Sequence, residues 1–254
     1  MKGQEELLEI IKRIAAGEYS EDILRLTRPE YPQEIREVSE AVGMMMVGIE
    51  ARQYNLELLL EQLKANALKT VIGMANALSA RDVYTKGHAE RVSRYAERLA
   101  RRRGMDEEEV EHVRIGGMLH DIGKIGFSDR LLTNSDTRPD PEMFEEIRNH
   151  PLWGEQILQG LDFLGPVLEF VRSHHERMDG TGYPHGVPAG ELPEGVRIVA
   201  VADCFDAITT DRSYQQGRSV DAAFAILRKL AGDHLDPDLV SAFIAEIEAE
   251  GMEA

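Results

Sequence analysis

The chain of 254 residues reads as all-α. Apolar residues recur at helical spacing along most of its length, and no run alternates cleanly enough to be a strand. Glycine, proline and acidic residues stand where helices should stop and start. Leu7, Ile11 and Ile14 share one face of a short amphipathic helix that should end near Gly17. A connector closed by Pro29 and Pro32 follows. In the next helix Ile35, Val42, Ile49, Leu56 and Leu63 are spaced by seven, with Val38, Met45 and Leu59 between them. Alternating steps of three and four make a coiled-coil seam, so this helix is expected to pair with a second copy, and Arg52 and Asn66 interrupt the seam as register-setting polar residues. Further helices are expected over 85–103, closed by Gly104, and over 106–120, with Glu109 completing a capping box on Asp106. Others are expected over 141–161, 164–177, 196–209, 220–231 and 237–250. A glycine- and proline-rich loop between residues 177 and 193 is long for a helical protein, and long ordered loops tend to be functional.

Composition narrows the function. With 46 acidic against 29 basic residues the formal charge is −17, which argues against wrapping nucleic acid or an anionic membrane. The stretch 81–103 is the local exception, with a balance of +5. The arginines at 101, 102 and 103 suit the end of their helix. A single cysteine, Cys204, excludes an internal disulfide or a cysteine-built zinc site and fits a reducing compartment. The longest apolar run, residues 41–49, is too short to span a bilayer and contains two glycines. The N-terminus lacks the apolar core of a signal peptide. A cytoplasmic protein is expected, either on its own or as the cytoplasmic portion of a larger membrane receptor.

Chemistry concentrates in histidines and their neighbours. His120-Asp121 precedes Ile122-Gly123-Lys124; His174-His175 precedes Glu176; Asp203 sits on an otherwise apolar helix with Cys204 and Asp206. His88 and His150 stand alone. A carboxylate in apolar surroundings needs a cation or an ion-pair partner. Imidazole and carboxylate without thiolate suit iron, manganese, nickel or zinc, leaning towards the first three. Such a set could hold two ions, with a shared carboxylate between ions about 3.5–4 Å apart, the arrangement used for in-line attack on phosphorus. His112, His185 and His234 read as surface or locally bonded residues.

The set His88, His120-Asp121, His150, His174-His175 and Asp203 resembles that of the HD-domain phosphohydrolases. The run His174-His175-Glu176-Arg177-Met178-Asp179-Gly180-Thr181-Gly182-Tyr183-Pro184 resembles the signature of their HD-GYP subfamily, as do Gly123-Lys124 and the stretch containing Asp211-Arg212. The resemblance implies an all-helical domain over residues 68–254 that hydrolyses cyclic di-GMP to pGpG, and in some members on to GMP, by attack of a hydroxide shared by two divalent ions. His88, His120, Asp121 and Asp203 would hold one ion. Asp121 would bridge to a second held by His150, His174 and His175. Asp121 and Lys124 would be catalytic, Lys124 and Arg212 would meet phosphate, and Gly182, Tyr183 and Pro184 would line the substrate pocket. Glu176, Asp179, Asp206 and Asp82 would orient the ligands or Lys124. Family members with a third metal carry glutamate where this chain has Tyr84, so two ions are expected, iron ahead of manganese, nickel or zinc. Met178 replaces a frequent tryptophan, and Gln215 a basic residue of some relatives.

The short helix, connector and second helix over residues 1–67 resemble a HAMP module, which implies a parallel homodimer that relays signals to partners, although Arg36 stands at its usual glycine. Rival readings are a catalytically silent sensor of cyclic dinucleotides that recruits partners and a phosphodiesterase for another cyclic dinucleotide.

Overall fold

A computed structural model describes residues 3–18, 21–81, 87–133, 140–211 and 217–251. The architecture is all-α, with no strand among the described residues beyond one isolated bridge between Ala231 and Leu235. The chain divides into two compact units, Met1–Ala67 and Leu68–Ala254.

In the first unit, α1 (Gln4–Ala15) and α2 (Asp22–Arg25) pack on the start of α3 (Gln33–Arg81). Leu7, Ile10 and Ile14 form the buried face of α1, so Ile10 takes the inner position expected of Ile11, which is only partly buried. Gly17 ends this segment with a φ of +87°. Helix α3 is continuous for 49 residues. Ile35 and Met46 are buried against α1 and α2, and Val42 partly so. Val38, Met45, Leu56, Leu59 and Leu63 stay exposed, Leu63 to 66%. Of the seam, Ile35 and, in part, Val42 are covered within the chain, whereas Val38, Met45, Leu56, Leu59 and Leu63 are not.

In the second unit, α4 (His88–Arg102), α5 (Glu107–Leu119), α6 (Asp129–Thr133), α7 (Pro141–Leu158), α8 (Val167–Ser173), α9 (Glu194–Thr209), α10 (Val220–Leu230) and α11 (Pro237–Glu250) follow in order. The capping box of α5 is formed in both directions by Asp106 and Glu109. Asp140 caps α7 through the Met143 N–H at 3.0 Å. Helix α8 is shorter than the sequence suggests, because Gly165-Pro166 precede its start and it stops before His174. Tyr95, Phe205 and Phe243 meet edge to face at 5.0–5.9 Å in a core shared by α4, α9 and α11. A second cluster joins the end of α3, through Ala75, to Leu119, Leu158, Val167 and Val171.

Five arginines of the basic stretch are paired with acidic residues, Arg91 with Asp206 and four near the end of α4. Arg101 pairs with Glu97 and Glu107, Arg102 with Glu246, and Arg103 with Glu194. Arg98 pairs with Glu246 and Glu250. These arginines thus tie α4 to neighbouring acidic positions; neither the helix dipole nor an anionic substrate is needed to account for them.

Candidate metal centre

Three imidazoles are oriented by one local device. The last carbonyls of a helix lack helical partners, and His120 and His174 stand immediately after α5 and α8. Each folds its Nδ1 back onto the carbonyl three residues earlier, Gly117 at 2.8 Å and Val171 at 2.8 Å. His150 does the same inside α7, donating to the Ile147 carbonyl at 2.7 Å. Pro151 makes this possible: it has no N–H, so the Ile147 carbonyl loses its helical partner and receives the imidazole instead. A carbonyl only accepts, so Nδ1 carries a proton in all three rings, and it is Nε2 that each ring can offer as a lone pair to a cation.

Those lone pairs converge. His150 Nε2 lies 3.3 Å from His174 Nε2, and His120 Nε2 lies 3.3 Å from His88 Nε2. Asp121 stands between the pairs, with Oδ1 3.4 Å from His150 Nε2 and Oδ2 3.3 Å from His120 Nε2. Two groups of potential ligands share it: Asp121, His150, His174 and His175, and His88, His120 and Asp121. Asp203 joins the second through Oδ1, 3.3 Å from His88 Nε2. Facing acceptor lone pairs repel in a buried site unless a cation lies among them, so this donor set fits divalent ions.

Electrostatics agree with a cation site. Burial works against ionisation of Asp121, but the Lys124 ammonium, Nζ 2.5 Å from Oδ2, and His120 outweigh it and hold the carboxyl well below its usual range. Asp203 is likewise depressed, burial being overcome chiefly by its bond with His88. Burial pushes His175 down to about 3 and, with its neighbouring imidazoles, lowers His174 strongly, so both are neutral donors. His88 is also deeply buried, yet its bonds with Asp121, Asp203 and Asp206 raise it well above its ordinary value; a proton and a cation compete there for one Nε2. Its Nδ1 faces Asp206 Oδ2 at 2.7 Å, and Arg91 donates to both oxygens of Asp206 at 2.6 and 3.0 Å. A carboxylate behind an imidazole fixes its orientation. Arg91 went unrecognised in the sequence, although it lies one turn after His88 on the same helix.

Two acidic residues expected to orient ligands do something else. Glu176, 4% exposed, accepts the N–H groups of His185, Gly186 and Val187 at 2.8–3.1 Å and so anchors the loop after α8. Asp179 accepts from the Thr181 N–H and hydroxyl at 2.9 and 2.7 Å, a local turn. Gly182 packs on this loop's own backbone, where an added Cβ would lie 2.5 Å from Glu176 Cα, rather than on the pocket. Tyr183 does line a cavity of about 390 Å³, with His88, Asp121, Lys124, His175 and Asp203; Pro184 follows it without reaching that wall. The apolar part of its lining comes from Phe127, Leu131, Leu132 and Ile147. None of these four was singled out in the sequence, and the short α6 that carries two of them was not foreseen. Burial and the nearby Asp121 and Asp203 raise the Tyr183 phenol, so it stays neutral. Arg212 and Asp82, and with them Tyr84 and Gln215, lie outside the described residues.

With this fold and site the comparisons agree. The HD domain family model matches residues 73–239, and the chain belongs to that family. It is 39% identical over 179 residues to a cyclic di-GMP phosphodiesterase of Thermotoga maritima, covering 68% of this chain and 48% of that protein. It is 34% identical over 213 residues to the cyclic di-GMP phosphodiesterase response regulator RpfG of Xanthomonas campestris, covering 83% of this chain and 55% of that protein. The fold resembles that of a cyclic GMP-AMP specific phosphodiesterase of Vibrio cholerae, with a TM-score of 0.58 at 19% identity over 74% of this chain and 51% of that one. The chain thus spans about half the length of these relatives. No described helix is long and apolar enough to cross a membrane.

Proposed function

We propose that this chain is a metal-dependent phosphodiesterase that hydrolyses cyclic di-GMP to pGpG. The carrying observation is Asp121, one carboxylate shared by two sets of ligands on the wall of an open cavity. His88, His120, Asp121 and Asp203 hold one divalent ion, and Asp121, His150, His174 and His175 the other. Iron comes first among the candidates, then manganese, nickel and zinc. Ions bound there supply Lewis acidity and water acidified enough to attack at neutral pH. Lys124 neutralises charge beside Asp121 and offers its ammonium to a phosphoryl oxygen. A water oxygen adds to phosphorus, the bond to the 3′ oxygen breaks, and that oxygen takes up a proton, leaving a 5′-phosphate on the linear dinucleotide. Arg91 and Asp206 keep His88 in place, and the His175 carbonyl, accepting from the Tyr183 N–H at 3.2 Å, ties Tyr183 to the ligand beside it. Iron- or manganese-loaded protein incubated with cyclic di-GMP should yield pGpG by chromatography. Binding without cleavage with either metal would make the chain a sensor, and cleavage only of another cyclic dinucleotide would reassign its substrate.

The first unit is proposed to be a HAMP-like relay that dimerises through α3, on the strength of the exposed residues Met45, Leu56, Leu59 and Leu63 at seam positions. Replacing Leu56 and Leu59 together by aspartate should turn dimers into monomers in sedimentation velocity. Dimers that persist at micromolar concentration would rule out this seam.

A further inference from the structure

We infer that Arg148 is a specificity-determining residue that recognises the guanine base of the substrate. This rests on the cyclic dinucleotide reading above. Tyr183 stacks on His175 with ring centroids 4.7 Å apart and planes tilted by 29°. The Arg148 guanidinium lies over the Tyr183 ring, 5.4 Å from its centroid. His175 and Arg148 are thus both packed on this one ring. Tyr183 lines the cavity, so Arg148, although outside that lining, stands within reach of a nucleobase held at the Tyr183 end. The ring holds the guanidinium by a cation–π contact.

Arg148 has this place free for a ligand. It is exposed, and among the described residues no carboxylate pairs with it, whereas Arg91 and the arginines at 98, 101, 102 and 103 are all held by acidic partners. Its neighbour Ile147 is one of four apolar residues lining the cavity, which suit a planar base, while Lys124 in the same lining suits phosphate. A guanidinium has donors only. Guanine offers it two acceptors, O6 and N7, on one edge, while adenine presents one acceptor and a donor at the same positions. The fork thus matches guanine and opposes adenine.

The test compares wild type with Arg148→Ala and Arg148→Lys, using turnover of cyclic di-GMP and cyclic di-AMP and calorimetric binding of pGpG and pApA to manganese-loaded protein. Arg148→Ala should raise KM for cyclic di-GMP and Kd for pGpG about tenfold or more, with kcat changed less than about threefold and the adenine ligands little affected. Lysine should not rescue, because it keeps the charge and loses the fork. Equal losses for guanine and adenine ligands, or rescue by lysine, would make Arg148 a phosphate contact and overturn the proposal. So would unchanged binding, or a wild type that binds neither pGpG nor pApA. A wild type that prefers pGpG through Arg148 yet cleaves no cyclic dinucleotide would leave this assignment standing and remove the hydrolase reading.

Discussion

Asp121→Ala should empty both metal positions at once. Each of the other ligands serves one group, but Asp121 reaches His150 with Oδ1 and His120 with Oδ2, and lies in both. Metal analysis after anaerobic purification should fall from two ions per chain to less than one. Removing the charge stabilisation that bound ions give to phosphoryl transfer costs several kcal/mol, so turnover should drop about a thousandfold or more. His150→Ala makes the contrast, since it should weaken one position and spare the other. The fold should survive both changes, because the core clusters contain neither residue, and unchanged helicity by circular dichroism would show it. Two ions retained by Asp121→Ala, or turnover within tenfold of wild type, would end the case for a shared carboxylate.

Much of this site is legible in the sequence because its chemistry is carried by paired residues at points where helices stop. His120-Asp121 and His174-His175 announce themselves as pairs, and the structure shows why they sit where they do: a helix end leaves carbonyls that imidazoles can use. His150 gave the weaker signal, a lone histidine, but the proline beside it was the missing half of the clue. The assignments to Glu176 and Asp179 failed for a different reason. A carboxylate next to a ligand can bind the loop as readily as the ligand, and only the three loop N–H groups around Glu176 decide which. Distant pairings were out of reach altogether. Nothing in the order of residues ties Arg91 to Asp206, or brings Ile147 and Phe127 to one cavity. The charge reading shows the same limit, since arginines of the basic stretch 81–103 form ion pairs with residues as remote as Glu194 and Glu246.

Gly123→Ala should damage both stability and metal binding, because two backbones meet at this position. A Cβ there would lie 1.9 Å from the His150 carbonyl oxygen and 2.6 Å from the Gly154 nitrogen, both main-chain atoms of α7. No side chain can rotate away to relieve that overlap. The 3-10 turn Ile122–Gly126 and α7 must instead move apart by more than about 1 Å to restore ordinary contact distances. Overpacking that shifts backbone costs about 3 kcal/mol, a fall in Tm of roughly 6–12 °C for a chain of this size. The same movement separates Asp121, two residues before the glycine, from His150, whose carbonyl is the obstacle. A displacement of about 1 Å near reacting groups can cost a hundredfold in rate, so affinity for the ion held with His150 should fall along with turnover. Gly190→Ala is the control, since its Cβ would meet nothing within 4 Å, and it should melt within about 2 °C of wild type. If Gly123→Ala melts with that control and keeps two ions, the close approach of the turn to α7 is not what sets the distance between Asp121 and His150, and the wider packing of α5, α7 and α8 must set it instead.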